Sequence, residues 1–194
     1  MNRLVVLFSG RGSNLVAIQD AIVSGPLAGL ARIEAAICNR VDAGGIERAR
    51  ALGVAVEVLP SKGRARDEYD EALLAKLREY SPDLIVLAGW MLILSPGFVR
   101  SFPSRIVNIH PADTRLHQGL HGYEWAMENR LQETLVTVHL VDEGLDTGPM
   151  ILRAPVDLRG ATTIGEVERR GLEVEHEVYA KAIAQLLSSL PKGA

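Results

Sequence analysis

The sequence has little cysteine, no long apolar run and no excess of positive charge, and each absence excludes a class of protein. Cys38 is the only cysteine among 194 residues, so an internal disulfide and a cysteine-rich zinc site are both excluded. The N-terminal apolar run covers only residues 4–8, whereas a transmembrane helix needs roughly 20 apolar residues. Lys and Arg number 21 against 24 Asp and Glu, a net charge of −3 that provides no general attraction to nucleic acid or anionic membranes. We therefore expect a cytoplasmic protein without a nucleic-acid or membrane partner.

Short, continuously apolar segments alternate with helix-like segments in the first half of the chain. Continuous apolarity is typical of strands covered on both faces, as in parallel sheets. This order predicts an α/β fold with a mostly parallel, twisted sheet, helices on both faces and a Rossmann-like N-terminal half. The predicted strands are 4–8, 33–38, 54–59, 84–88 and 106–107, and the predicted helices are 13–24, 44–52, 66–80 and 122–129.

The second half of the chain has a different pattern. Two further strands, 134–141 and 150–156, flank a segment dense in turn-forming residues, so they are predicted to pair as an antiparallel extension of the sheet. A final amphipathic helix is predicted from about 164 to 190. No linker divides the sequence, and we expect a single domain over residues 1–190 followed by a short tail at 191–194.

A glycine-rich segment, SGRGSN from Ser9 to Asn14, follows the first predicted strand and opens the first predicted helix. Glycine lets the backbone approach a ligand closely, and free amides at a helix N-terminus attract anions. The spacing fits neither the dinucleotide-binding fingerprint nor the P-loop. Two interpretations stay open at this point: a phosphate-binding loop, or a tight turn in which Ser13 caps the helix.

Polar side chains that suit acyl transfer follow the fifth predicted strand. Asn108 and His110 are two residues apart, so they leave the strand on the same side. An amide donor beside an imidazole can stabilise an oxyanion and move a proton. Asp146 lies in a later turn, where a carboxylate close to His110 would orient the ring and raise its pKa. The alternatives are a structural histidine and a solvated turn aspartate.

A metal site is another interpretation of the histidines at 110, 117, 121 and 139. No two of them lie four residues apart on a predicted helix, and they lack the short loop spacing of zinc ligands. We therefore expect no metal.

Taken in order, these motifs resemble the glycinamide ribonucleotide formyltransferases, a branch of the formyl-folate transferase superfamily. The resemblance runs from about Val5 to Tyr179. It implies a formyltransferase-type α/β domain that acts on small-molecule substrates, as a monomer or a homodimer. The activity it implies is transfer of the formyl group of 10-formyltetrahydrofolate to glycinamide ribonucleotide in de novo purine biosynthesis, without a metal. Besides the glycine-rich segment, the motifs that carry it are LAGWMLILS at 87–95, NIHP at 108–111, GLH at 119–121, TVH at 137–139 and LDTGP at 145–149.

The resemblance also implies roles for individual residues. Asn108, His110 and Asp146 match the catalytic trio of the family, with His121 and His139 as supporting histidines. The remaining matches are Gly12, Ser13 and Asn14 with the substrate-phosphate loop, Glu175 with a contact to the substrate ribose, and Arg66, Met91, Leu92, Ile93, Leu94 and Asp146 with the folate site.

The chain departs from the family pattern at three places. Residues 112–118 replace a Ser-Leu-Leu-Pro segment and a following basic residue, Leu92 replaces a common arginine, and Leu172 replaces a glutamine that reaches the phosphate. Arg115 and His117 are the nearest new basic residues in sequence, and we expect Arg115 to bind an anionic substrate.

These departures leave alternative functions open. One is a formylfolate-dependent transferase with another amine acceptor, such as an amino-sugar nucleotide or a modified nucleotide. A second is a formyltetrahydrofolate hydrolase. A third is a noncatalytic nucleotide-binding relative, against which the presence of Asn108, His110 and Asp146 argues.

Overall fold

The computed structural model describes residues 1–189, and the expected tail at 191–194 lies outside the described residues. Strands and helices alternate along most of this length. The strands are β1 Asn2–Phe8, β2 Ala31–Cys38, β3 Val56–Val58, β4 Leu84–Leu87, β5 Ile106–His110, β6 Glu133–Leu140 and β7 Met150–Asp157. The helices are α1 Ser13–Ser24, α2 Gly45–Ala51, α3 Arg66–Tyr80, α4 Pro96–Ser101, α5 Gly122–Glu128 and α6 Ile164–Ser189.

The described residues form a seven-stranded sheet in the order β3-β2-β1-β4-β5-β6-β7. The first five strands pair in parallel, and β6 and β7 continue the sheet in antiparallel pairing. The mostly parallel sheet and its antiparallel extension are therefore confirmed. The register of β5 on β6 puts Asn108 opposite His139, which brings two predicted site residues together across the sheet.

Helices cover both faces of the sheet. Leu4, Val6 and Phe8 of β1 belong to one apolar layer with side chains from α1, α2, α5 and α6, whereas Val5 and Leu7 belong to a second layer with α3 and α4. All five side chains are fully buried, which explains why β1 is apolar without alternation. The prediction of helices on both faces is confirmed.

Helix α4 is absent from the sequence prediction. It has six residues, too few for a helical periodicity to be recognised. Its start is nevertheless well defined, because Pro96 occupies the first turn and the Ser95 hydroxyl accepts a hydrogen bond from the Phe98 amide at 3.1 Å. Strand β3 is also shorter than predicted, with three residues instead of six.

Helix α6 is tied to the middle of the sheet. The Tyr179 hydroxyl contacts the carbonyl oxygens of Leu87 and Val107, at 2.9 and 3.0 Å. This contact places the preceding turn of α6, which carries Glu175, beside the start of α1. Within residues 1–189, no helix has an apolar stretch long enough to cross a membrane. The same residues contain no group of three or more His, Cys, Asp or Glu side chains that could hold a metal ion.

Candidate active site

A cavity of about 660 Å³ opens at the edge where the parallel strands end. Ligands of α/β folds bind at this edge, because the loops after several strands meet there. Its wall is formed by the segments after β1, β4 and β5, by residues 141–146 and by α6. The predicted site residues on the wall are Gly12, Ser13, Asn14, Met91, Leu92, Ile93, Leu94, Asn108, His110, His121, His139, Asp146 and Glu175.

Asp146 bridges the two polar side chains of β5. Its Oδ1 atom is 3.3 Å from Asn108 Nδ2, and its Oδ2 atom is 3.5 Å from His110 Nδ1. The Gly119 amide also donates to Asp146 Oδ2, at 2.8 Å. Asp146 has a left-handed backbone with φ 53°, a conformation that aspartate adopts more readily than most residues. The three residues of the predicted trio are therefore in contact, although β6 separates them in sequence.

The backbone around His110 determines which ring nitrogen carries a proton. Its Nε2 atom is 3.0 Å from the carbonyl oxygen of His117, and because a carbonyl only accepts, Nε2 must be protonated. Nδ1, the nitrogen nearer Asp146, is then the one that gains and loses a proton.

Burial lowers the pKa of His110, and the charge of Asp146 opposes this shift only in part. Asp146 raises the pKa of His110, as expected, but desolvation of the imidazolium outweighs this contribution and the net shift is downward. The pKa of Asp146 itself is lowered: burial acts to raise it, but contacts with His139, the Gly119 amide and His110 outweigh burial.

His139 lies beside both Asn108 and Asp146. Its Nδ1 atom donates to the Leu140 carbonyl oxygen at 2.8 Å, and Asp146 Oδ1 lies 3.4 Å from its Nε2 atom. Asn108 Nδ2 lies 3.4 Å from the same Nε2 atom. Asn108 Nδ2 thus donates one hydrogen to Asp146 Oδ1, and its second hydrogen can be donated to a group in the cavity.

Two predicted residues have less central positions than the resemblance implies. Arg66 does not line the cavity; its guanidinium donates to the Leu94 carbonyl and supports the 91–94 segment from outside. His121 lies on the wall but is exposed, with Nδ1 3.0 Å from Glu124 Oε1, and no hydrogen bond joins it to the trio.

The glycine-rich segment forms a turn that leads into α1. The helix begins at Ser13, its N-cap residue is Gly12, and no side chain caps it. The interpretation of Ser13 as the cap is therefore wrong. Gly12 has φ 73°, and a Cβ atom there would lie 3.0 Å from Gly45 Cα, so both conformation and packing require glycine. The uncapped amides of the first turn remain available for an anion.

Glu175 reaches the same region from α6. Its carboxylate is buried, with Oε2 accepting from Asn14 Nδ2 at 2.7 Å and Oε1 accepting from the Tyr123 hydroxyl at 2.5 Å. Burial raises the pKa of Glu175, while the two hydrogen bonds act in the opposite direction. This carboxylate is suitably placed to accept a hydrogen bond from a hydroxyl group in the cavity.

The altered segment 112–118 does not bring a cation to the cavity. Arg115 is mostly exposed and forms an ion pair with Asp113, at 2.5 Å between nitrogen and oxygen. The His117 ring stacks on Trp125 with centroids 5.0 Å apart. Neither Arg115 nor His117 lines the cavity, so the expected role of Arg115 in binding an anionic substrate lacks structural support.

Comparisons with known proteins agree with this geometry. Residues 2–183 match the family described as formyl transferase. This chain belongs to the formyl transferase family. Phosphoribosylglycinamide formyltransferase of Escherichia coli (strain K12) is 41% identical to this formyl transferase over 182 residues, covering 93% of this chain and 85% of the relative. The enzyme of that name from Schizosaccharomyces pombe is 34% identical over 200 residues, covering 95% of this chain and 97% of the relative.

A solved structure extends the similarity to the whole fold of this formyl transferase. The crystal structure of glycinamide ribonucleotide transformylase 1 from Symbiobacterium toebii matches with a TM-score of 0.92 at 36% identity. The match covers 100% of this chain and 92% of the other.

Sequence reasoning missed two residues of this geometry, Arg11 on the cavity wall and Tyr123 behind Glu175. Arg11 is the only Arg or Lys on the cavity wall among the described residues, and its position between the two glycines of the loop was the available signal. Tyr123 had no comparable signal, because its contact with Glu175 exists only where α5 meets α6.

Proposed function

We propose that this enzyme transfers the formyl group of 10-formyltetrahydrofolate to the primary amine of glycinamide ribonucleotide, in de novo purine biosynthesis. The observation that carries the proposal is the presence, in one cavity, of the Asn108, His110 and Asp146 trio and an uncapped helix N-terminus next to Arg11. An acceptor that has both an amine and a phosphate needs both features. The names of the relatives support this choice of acceptor.

The phosphate of the acceptor is assigned to Gly12, Ser13 and Asn14. Their backbone lies at the start of α1, where the helix dipole favours an anion. Arg11 adds a positive charge beside the loop, and its guanidinium also lies 3.6 Å from the Glu168 carboxylate. Glu175 is assigned to a hydroxyl of the sugar.

The folate is assigned to the more apolar part of the cavity. Residues 91–94 form one side of this part of the cavity, and Leu145, in the 141–146 segment, forms another side. Apolar walls of this kind suit a flat aromatic ring system, with a few polar groups fixing its orientation. Arg66 contributes by supporting residues 91–94 through the Leu94 carbonyl.

In the proposed reaction, the amine nitrogen attacks the formyl carbon and the carbonyl electron pair moves to oxygen. Asn108 donates a hydrogen bond to this oxyanion, a contact that typically contributes about 3–4 kcal/mol. His110 Nδ1 takes the proton released by the amine, and Asp146 stabilises the resulting imidazolium. Because burial favours neutral His110, its base role comes first.

The second half of the proposed reaction returns this proton. The bond between the formyl carbon and the folate nitrogen breaks, and His110 Nδ1 gives its proton to that nitrogen. The products are the formylated amine and tetrahydrofolate, with no net change in protons. Holding both substrates in one cavity can contribute about 7–11 kcal/mol, because the reaction no longer depends on a chance encounter.

The test is a formyl-transfer assay with 10-formyltetrahydrofolate and a panel of acceptors: glycinamide ribonucleotide, an amino-sugar nucleotide, and water alone. Transfer to glycinamide ribonucleotide that is lost in Asn108→Ala and Asp146→Asn supports the proposal. Transfer only to the amino-sugar nucleotide, or folate deformylation without any amine, would replace it with the other transferase or with a hydrolase.

A further inference from the structure

Tyr123 lies behind Glu175 as seen from the cavity. It is buried on α5, and its hydroxyl donates to Glu175 Oε1 at 2.5 Å. Glu175 lines the cavity, but Tyr123 does not. Any effect of Tyr123 on a bound molecule is therefore transmitted through the carboxylate that it holds.

Gly171 provides the space that the Tyr123 ring occupies. It lies one helical turn before Glu175, and a Cβ atom there would be 2.1 Å from both Cζ and the hydroxyl oxygen of Tyr123. Glycine is unfavourable inside a helix, yet Gly171 is in the interior of a helix of 26 residues. Close approach of the phenol ring is a sufficient reason for glycine at this position.

The hydroxyl of Tyr123 and the amide of Asn14 hold the carboxylate from two sides. Each donates to a different oxygen of Glu175, so rotation of the carboxylate would break at least one short hydrogen bond. Each oxygen keeps a second acceptor position, which leaves capacity for a donor from the cavity. Without the Tyr123 hydroxyl, the carboxylate would lose one of its two fixed contacts.

We propose that Tyr123 is a positioning residue for the acceptor, acting through Glu175 and accommodated by the absence of a side chain at Gly171. This inference rests on the proposed function, because it takes Glu175 as the group that accepts a hydrogen bond from a sugar hydroxyl. Tyr123 forms no hydrogen bond with Asn108, His110 or Asp146. Its loss therefore affects acceptor binding and leaves the chemical step nearly unchanged.

The decisive variant is Tyr123→Phe, which removes the hydroxyl but keeps the ring beside Gly171. We expect the KM for glycinamide ribonucleotide to rise about tenfold, as for loss of one hydrogen bond to a charged group. The kcat and the KM for 10-formyltetrahydrofolate stay within about twofold of the parent values, because neither reflects this contact.

Two further variants separate this role from a general structural one. Glu175→Gln is expected to raise the same KM, and the double variant Tyr123→Phe/Glu175→Gln is expected to be no worse than the more affected single variant. Tyr80→Phe is the matched control, since the Tyr80 hydroxyl also donates to a glutamate, Glu57 at 2.8 Å, and neither residue lines the cavity. Its acceptor KM should equal that of the parent.

The inference is overturned by an unchanged acceptor KM in Tyr123→Phe, by a loss confined to kcat, or by effects of Tyr123→Phe and Glu175→Gln that simply add. If Tyr123→Phe melts at a lower temperature, the KM measured well below its Tm gives the same outcomes. A parent enzyme that is active only with another acceptor contradicts the proposed function instead, and the same variants tested with that acceptor then decide the role of Tyr123.

Discussion

His110 and Asp146 face each other at 3.5 Å between Nδ1 and Oδ2, while the opposite nitrogen of the ring is held by the His117 carbonyl. Nε2 is thus fixed as a donor, whereas Nδ1, which faces the carboxylate, can exchange a proton. Both side chains are less than one-tenth exposed, so their mutual attraction is weakly screened by water.

Asp146→Asn should keep the fold and lower kcat by about 100-fold or more, the usual range for loss of acid–base assistance. An amide cannot stabilise the imidazolium as a carboxylate does. Steady-state kinetics with circular dichroism as a fold check provide the measurement, and Asp157→Asn, at an exposed ion pair, is the control. Full activity with an unchanged pH profile would contradict the role of Asp146.

The acid limb of kcat/KM should report the pKa of His110. Burial lowers this pKa below its ordinary value of 6.5, so the neutral base is present above a midpoint lower than 6.5 and activity falls as the pH drops through that midpoint. Because the charge of Asp146 raises the pKa of His110, Asp146→Asn should move the residual profile to still lower pH. A midpoint above 6.5 in the parent enzyme would show that burial is not the dominant effect.

Arg11→Ala should raise the KM for the acceptor about threefold to tenfold, a modest effect because an exposed cation is screened by water. The parent KM should rise with salt more steeply than that of the variant. Arg115→Ala is the matched control, since Arg115 is paired with Asp113 away from the cavity. A larger effect of Arg115→Ala would place the anion over residues 112–118 instead.

Gly171→Ala should destabilise the protein by about 1–3 kcal/mol, the usual cost of overpacking, because the new methyl group would overlap Tyr123. Thermal unfolding measures this. Gly165→Ala is the control on the same helix, where a Cβ atom meets nothing within 4 Å. In a Tyr123→Ala background, Gly171→Ala should no longer be destabilising; persistent destabilisation would mean that another contact requires the glycine.

Local sequence patterns were sufficient for most of the fold. The bounds of α1 and α3 agree with the prediction at both ends, and with 12 and 15 residues both are long enough to be recognised as helical segments. Helix α4, with six residues, is too short to produce one. The meeting of Asn108, His110 and Asp146 also followed from the sequence, since alternate residues of one strand point to the same side and the resemblance supplied the aspartate.

Tertiary structure decided the electrostatics and the supporting contacts. Whether the pKa of His110 is raised or lowered depends on how much water the whole fold excludes. The spacing of residues in the sequence does not encode this quantity. The choice between Arg11 and Arg115 as the cation at the cavity depends on which loop faces it. The Tyr123 contact with Glu175 requires α5 and α6 to pack closely at Gly171. A local pattern records which residues are neighbours along a helix or strand, whereas desolvation and contacts between elements arise only when those elements pack together.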